Sequence, residues 1–401
     1  MPETRIGLPR IERVNNGRIR LIADISLPGG TNRDLWFETS ASNASHIVHE
    51  RSDAFLVGLI PFISRNGGKV VCEAPVSGYL LHNLRNLLSP VLPEFHPDLF
   101  PLQIDAPYDS IVLSEACGTH VGIGCSCGID SMATIYTYTT PDTPPSMRVD
   151  TLTFFDVGSH GDRQSDRSGA SDKTKEFSSG RARNIEAFAH EIGLPLIKAT
   201  SNISDFNAGF SHINLHTFRN TATVLVVQKY FKAYHYASGF HISHFCITMD
   251  GLSHADEFLL RCLSTESTVF HSALASMTRQ DRTKLASEFG LTGKYLNVCV
   301  SKVNNCGFCF KCARTMFQLD LIGKLDDFSN VFDVQAYREN PRRILRLLSK
   351  DTHFHDEFLA AAKASTGCVY SLLKLKSAFA LGKIAHILVN IRKRLIGKKR
   401  I

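Results

Sequence analysis

The rhythm of hydrophobic and polar positions changes along the chain, and each rhythm predicts a different kind of element. Near the N-terminus, Arg18-Ile-Arg-Leu-Ile-Ala-Asp-Ile-Ser26 and Asp34-Leu-Trp-Phe-Glu-Thr39 alternate with period two, as strands with one buried face do. Asp53-Ala-Phe-Leu-Val-Gly-Leu-Ile-Pro-Phe62 reads as a helix start with Asp53 as its cap. Lys69-Val-Val-Cys-Glu73 is a short strand, and Ser77 to Leu88 an amphipathic helix. The proline-rich stretch from Pro90 to Pro107 predicts a linker. Residues 1–108 therefore read as a small α+β N-terminal domain without a cluster of catalytic residue types.

From residue 109 to 330 the pattern becomes β-α-β-α. An apolar run ending in His120-Val-Gly-Ile-Gly124 leads through a small-residue loop into Met132-Ala-Thr-Ile-Tyr136, which reads as a helix. Leu152 to Val157 is a strand, Arg181 to Ile192 a helix, Leu194 to Ala199 a strand, Phe218 to Tyr234 a long helix and Phe240 to Met249 a strand. Such alternation predicts an α/β fold with a parallel sheet covered on both faces. Ligands of these sheets bind at the carboxyl ends of the strands. The polar segment Gly158 to Gly180 reads as a loop, either a lid over the ligand or disordered. Residues 331–401 read as helical, with Pro341 dividing Val334–Asn340 from Arg342–Ser349.

Composition narrows the class. With 43% hydrophobic and 21% charged residues the 401-residue chain is globular and long enough for two or three domains. No uninterrupted apolar run approaches a membrane span, and Met1-Pro-Glu-Thr-Arg5 has no signal-peptide apolar region. Eleven cysteines without an export signal suggest a reducing, cytoplasmic setting, with thiols or metal ligands rather than disulfides. The net charge of +7 is matched by Lys383, Arg392, Lys393, Arg394, Lys398, Lys399 and Arg400. The near-neutral body argues against a nucleic-acid-binding core. The segment 381–401 mixes apolar and basic residues, a pattern suited to an anionic membrane surface or a protein partner, or to a packed helix with a frayed end.

Two motifs carry chemistry. Ser126-Cys-Gly-Ile-Asp-Ser131 sits between a strand and a helix, where loop and helix N–H groups converge on an anion. It is not a Walker A loop, since no Gly-Lys-Ser/Thr follows. Cys299-x6-Cys306-Gly-Phe-Cys309-Phe-Lys-Cys312 places four thiolates close enough for one tetrahedral zinc ion, with Gly307 relieving the turn. An iron–sulfur cluster uses the same ligands. Four protein ligands leave zinc no open position, so the role is structural.

The loop resembles the Ser-Gly-Gly-x-Asp-Ser signature of the PP-loop ATP pyrophosphatases, with Cys127 where that family has its first glycine. A PP-loop followed by this cysteine spacing is similar to the 7-cyano-7-deazaguanine synthase branch, over residues 115–325. Phe218-Arg219-Asn220 resembles that family's Arg-Asn motif near ATP. Leu263 to Phe270, with Arg279 and Lys284 downstream, occupies the corresponding stretch before the cysteines. The synthase's Asp-Cys-Arg sequence is absent, so the resemblance implies a relative acting on another small-molecule substrate.

The resemblance implies an adenine-nucleotide α-hydrolase fold and ATP cleavage to AMP and pyrophosphate. Ser126, Cys127, Gly128, Ile129, Asp130 and Ser131 would hold phosphate, with Asp130 and Arg219 catalytic, Asp130 also holding Mg2+, and Asp156 and Asn220 near the nucleotide. Asp156 and Arg219 equally fit a helix cap and a surface ion pair. His241 and His244, three apart on an expected strand, point to opposite faces and suit the core or rim better than a shared metal. Cys125 and Cys127 fit either small-residue packing or sulfur transfer. The function expected is a ligase that adenylates a carboxylate or carbonyl for attack by ammonia or a similar nucleophile. Lacking a glutaminase signature, it would take nitrogen from free ammonia or a partner protein. The alternatives are a tRNA-modifying enzyme transferring sulfur or nitrogen, and a non-catalytic nucleotide-binding scaffold.

Overall fold

The N-terminal alternation builds β1 (Glu3–Ile6), β2 (Arg10–Val14), β3 (Arg18–Ser26) and β4 (Asn32–Ser40). In this computed structural model, residues 3–113, 119–158, 172–207, 209–247, 252–365 and 370–397 are described, without the side chains of 172–175, 213 and 386–397. Most of the expected lid, Gly158 to Gly180, and the basic side chains beyond Lys383 lie outside the described residues and side chains. Contacts divide the chain into two units, Met1–Cys125 with Thr137–Ser276, and Ser126–Tyr136 with Met277–Ile401. No described helix is long and apolar enough to cross a membrane.

The first unit holds an 11-stranded, mostly parallel sheet in a mixed α/β arrangement. Its strands continue with β5 (Lys69–Cys72), β6 (Val76–Ser77), β7 (Gln103–Asp105) and β8 (Tyr108–Asp109). Then come β9 (His120–Gly124), β10 (Thr151–Asp156), β11 (Leu196–Ser201), β12 (Phe231–Ala237) and β13 (Val269–Ala273). The order is β13-β12-β9-β10-β11-β4-β3-β1-β5-β7, with β2 paired to β3, and β6 and β8 apart as a two-stranded sheet. β9 to β13 are mutually parallel, and the path reverses about β9, which makes a topological switch point. Gly122 on β9 is required by packing, because a Cβ there would lie 2.5 Å from Phe231 Cε1 and 2.8 Å from Tyr234 Cδ2.

Several expectations are corrected. The N-terminal strands do not form a separate sheet, since β4 pairs antiparallel with β11, Thr39 opposite Ala199. The unit boundaries accordingly fall at neither 108 nor 330. The supposed linker 90–107 contains β7, which pairs with β5. Asp53 is not the cap, a position held by Ser52. It opens α1 (Asp53–Arg65) from a buried position, accepting from the Ser77 N–H at 2.8 Å and Gln228 Nε2 at 3.0 Å. The long helix ends earlier, as α6 (His212–Val226), and the strand expected at Phe240–Met249 is instead β12 at Phe231–Ala237. That strand is largely buried and lacks a period-two pattern, so periodicity cannot separate it from a helix.

Between the strands of this unit lie α2 (Gly78–Asn83), α3 (Leu92–Phe95), α5 (Asp172–Ile192), α6 and α7 (Asp256–Cys262). α1 is apolar all round and nearly all buried, as an interior helix should be.

The second unit begins with α4 (Ile129–Tyr138) and continues with α8 (Arg279–Glu288), α9 (Thr292–Tyr295) and α10 (Phe310–Leu321). It ends in α11 (Val334–Glu339), α12 (Pro341–Leu348), α13 (His355–Ala364) and α14 (Leu372–Gly397). Its core is aromatic. Phe317 meets Phe358 edge-on with centroids 5.5 Å apart, and His355 stacks on Phe379 at 4.1 Å.

Candidate functional site

In the second unit, a small-residue loop feeds the first turn of α4. Gly128 N–H donates to Ser126 Oγ at 3.2 Å, Ser131 Oγ donates to the Gly128 carbonyl at 3.0 Å, and the two serine hydroxyls lie 3.3 Å apart. Cys127 is fully buried with φ of 53°, the left-handed region that glycine enters freely and other residues at a cost. Its carbonyl accepts from the Asn297 N–H at 2.8 Å. The departure from the glycine pattern is thus absorbed as backbone strain, with the thiol packed inside.

Asp130, beside this loop, is gripped by arginines. Arg279 pairs with its Oδ2, and Arg282 Nη1 lies 3.1 Å from its Oδ1. Both arginines come from the first turn of α8, one helical turn apart, and a capping box between Thr278 and Asp281 fixes that turn. Cations there oppose the helix dipole, so the arrangement needs a nearby anion. Arg314 on α10 is buried as well and pairs with Asp351 at 2.9 Å. Burial works against ionisation of Asp130, but Arg279, Arg282 and Arg314 outweigh it and hold the carboxyl below its ordinary range. Desolvation pushes the Arg282 and Arg314 guanidiniums down. Chemically this is a pair of buried cations neutralising a carboxylate at the first turn of α4.

The four cysteines meet. The Sγ atoms of Cys299, Cys306, Cys309 and Cys312 all lie within 4.8 Å of one another, and Cys299 and Cys309 are 4.0 Å apart. Ligands on a tetrahedron of ~2.3 Å Zn–S bonds sit ~3.8 Å apart, so the set fits zinc after small adjustments. The N–H groups of Ser301 and Lys302 donate to Cys299 Sγ at 3.3 Å each, and that of Cys312 to Cys309 Sγ at 3.4 Å. Such donors stabilise thiolates and orient them. Gly307, with φ of 72°, makes the turn between Cys306 and Cys309, and Cys309 caps α10. Asn297 is two residues before Cys299, so one short segment serves both the cysteine cluster and the loop carbonyl.

The remaining expected residues belong to the first unit. Asp156 ends β10 and accepts from Ser178 Oγ. Arg219 and Asn220 lie in the middle of α6 rather than opening it. Arg219 is buried, not a surface residue, and donates to Ser204 Oγ at 3.0 Å beside His212 Nδ1 at 3.0 Å. Asn220 Nδ2 is 3.5 Å from the Tyr236 hydroxyl. His241 and His244 flank a short turn, not a strand, with ring centroids 6.4 Å apart. His241 is tied to Ser243 Oγ at 2.7 Å and the Ser276 carbonyl at 3.0 Å. Among the described residues, the four cysteines are the one grouping of three or more potential metal ligands.

Arg282, Arg314 and Asp256 were missed from sequence, and Arg279 was noted there only as part of the stretch before the cysteines. The i,i+3 pair Arg279 and Arg282 after a Thr-x-x-Asp cap was legible as one helix face, but its target, Asp130, is 149 positions from Arg279. Arg314 carried no signal beyond its closeness to Cys312. Asp256 carried none either. It is buried, accepts from Thr217 Oγ1 at 2.6 Å, and is pushed up to about 7 chiefly by burial. No family model, curated protein or solved structure matches the chain.

Proposed function

We propose that the chain binds a nucleoside triphosphate through the loop Ser126–Ser131 and splits it between the α- and β-phosphates to adenylate an acceptor. The observation that carries this reading is the pairing of the buried Arg279 and Arg282 with the loop carboxylate Asp130 at the first turn of α4. A polyphosphate supplies the anion that these buried cations and the helix amides favour. Turning the arginines onto phosphate would release the Asp130 oxygens for Mg2+, which prefers carboxylate and phosphate oxygens. The acceptor carboxylate or carbonyl oxygen attacks the α-phosphorus, and the bond to the bridging oxygen breaks with loss of pyrophosphate. A nitrogen nucleophile then displaces AMP and loses a proton, giving an amide from a carboxylate or an amidine from an amide carbonyl. A nitrile would take a second ATP, AMP leaving the adenylated amide by elimination with loss of its N–H protons. Zinc held by the four cysteines would play no part in these steps and would brace the segment that carries Asn297.

The test follows nucleotide binding and product identity. Wild-type protein should bind α,β-methylene-ATP with Mg2+, and Arg279→Ala should weaken that binding by about tenfold or more, the loss of one charge-assisted contact. With acceptor present, α-labelled ATP should yield AMP. Formation of ADP, or nucleotide binding indifferent to Arg279 and Asp130, would sink the reading, and the latter outcome would favour a scaffold.

A further inference from the structure

A small cavity lies in the first unit, past the carboxyl ends of β12 and β13. Its volume is about 20 Å³, and it is lined by Asp256, Ser253, Glu257, Ser238, Ser272 and Phe240. Two of the lining side chains are more than nine-tenths buried and each leaves a polar atom unpartnered, Asp256 Oδ2 and Ser253 Oγ. Asp256 uses only its other oxygen, with Thr217. Ser238 and Ser272 pair with each other at 2.6 Å. A buried carboxylate oxygen without a donor costs several kcal/mol, so the cavity is short of a hydrogen-bond donor.

The lining also sets the sign of the occupant. It contains two carboxylates, two histidines and no lysine or arginine. The volume suits one non-hydrogen atom, since a water needs roughly 10–15 Å³ by the same measure. A hard metal ion is a poor match, because it requires about six or more converging oxygens, and among the described residues no three His, Cys, Asp or Glu ligands converge here. We infer that this cavity binds a protonated nitrogen head, –NH3+, with Asp256 Oδ2 and Ser253 Oγ accepting its hydrogens. The inference rests on the first unit alone and stands whether or not the loop Ser126–Ser131 binds ATP.

Free ammonium and the amino group of a larger molecule present the same chemistry, and one experiment separates them. The thermal midpoint of the full chain is followed while ammonium, methylammonium, tetramethylammonium or sodium chloride is added at matched ionic strength. Ammonium should raise the midpoint saturably and sodium should not. Tetramethylammonium, too large and without N–H donors, should have no effect. A methylammonium response equal to or larger than that of ammonium assigns the site to an amine on a larger molecule, and a response to ammonium alone assigns it to the free ion. Asp256→Asn should abolish the response. Ser253→Ala, the milder change, should weaken the apparent affinity by about tenfold, as loss of one hydrogen bond to a charged group does. Equal responses to sodium and ammonium, no response to either, or an ammonium response unchanged in Ser253→Ala would overturn the inference.

Discussion

Replacing Asp130 by asparagine removes the anion between two buried guanidiniums while keeping the side-chain shape. Arg279 and Arg282 have side chains 6% and 1% exposed, whereas that of Asp130 is 25% exposed. Breaking a buried ion pair by deleting one partner costs about 3–5 kcal/mol, and the partial exposure of Asp130 places this case at the lower end, about 3 kcal/mol. The one tryptophan, Trp36, lies in the first unit, whereas Asp130 lies in the second. Urea unfolding should therefore be followed by far-ultraviolet circular dichroism, with amide exchange in α8 and α10 to localise the change. The pH dependence has a definite sign. The carboxyl pKa is lowered on folding, so its stabilisation is present above the unfolded value of about 4 and lost as pH falls through the folded one. The difference between wild type and Asp130→Asn should thus be full near pH 7 and shrink below about pH 4. Pyrophosphate then discriminates between an internal ion pair and an anion site. If the arginines are built to receive phosphate, pyrophosphate should stabilise the asparagine variant more than wild type, approaching about 2.7 kcal/mol at a hundredfold excess over its dissociation constant. A loss below about 1 kcal/mol near pH 7 would refute the energetic argument. Equal effects of pyrophosphate on both proteins would refute the anion-site argument.

The other predictions concern the remaining unusual groups. Cys309→Ser should lose the bound zinc measured by elemental analysis and speed amide exchange around Asn297 and Cys127, because Asn297 lies next to the knuckle and holds the loop carbonyl. Retained stoichiometric zinc in that variant would exclude the four-cysteine site. Cys127→Gly relieves about 1 kcal/mol of left-handed backbone strain and gives up about as much thiol burial, so its unfolding free energy should stay within about 1 kcal/mol of wild type. A loss above about 2 kcal/mol by urea titration would show that the thiol itself is needed. Asp256 has a folded pKa raised to about 7, mainly by burial, so the stability it contributes is present below about pH 4 and lost as pH rises through 7. In ammonium-free buffer, Asp256→Asn should therefore gain on wild type between pH 5 and pH 8 in thermal melts, and parallel stability curves would contradict this.

The local features of this chain were written in its sequence. The alternation at Arg18–Ser26, the loop Ser126–Ser131 and the cysteine spacing each express a constraint that acts over a few residues: a pleat, a tight small-residue turn, a gathering of four thiols. Elements with a clear period were correspondingly close to their observed bounds. β12 was misplaced because a strand buried on both faces has no alternation to show. The stretch 90–107 was misread because prolines mark turns without saying that a strand follows. What only the tertiary structure decided is long-range. It joined β4 to β11 across 159 positions or so of chain, and so merged an apparent domain into one sheet. It brought Arg279 and Arg282 to Asp130, and it buried Asp256 with one oxygen unpaired. Charge pairing and burial depend on where a side chain ends in space, and a chain read in order carries no record of which distant cation will meet which acid.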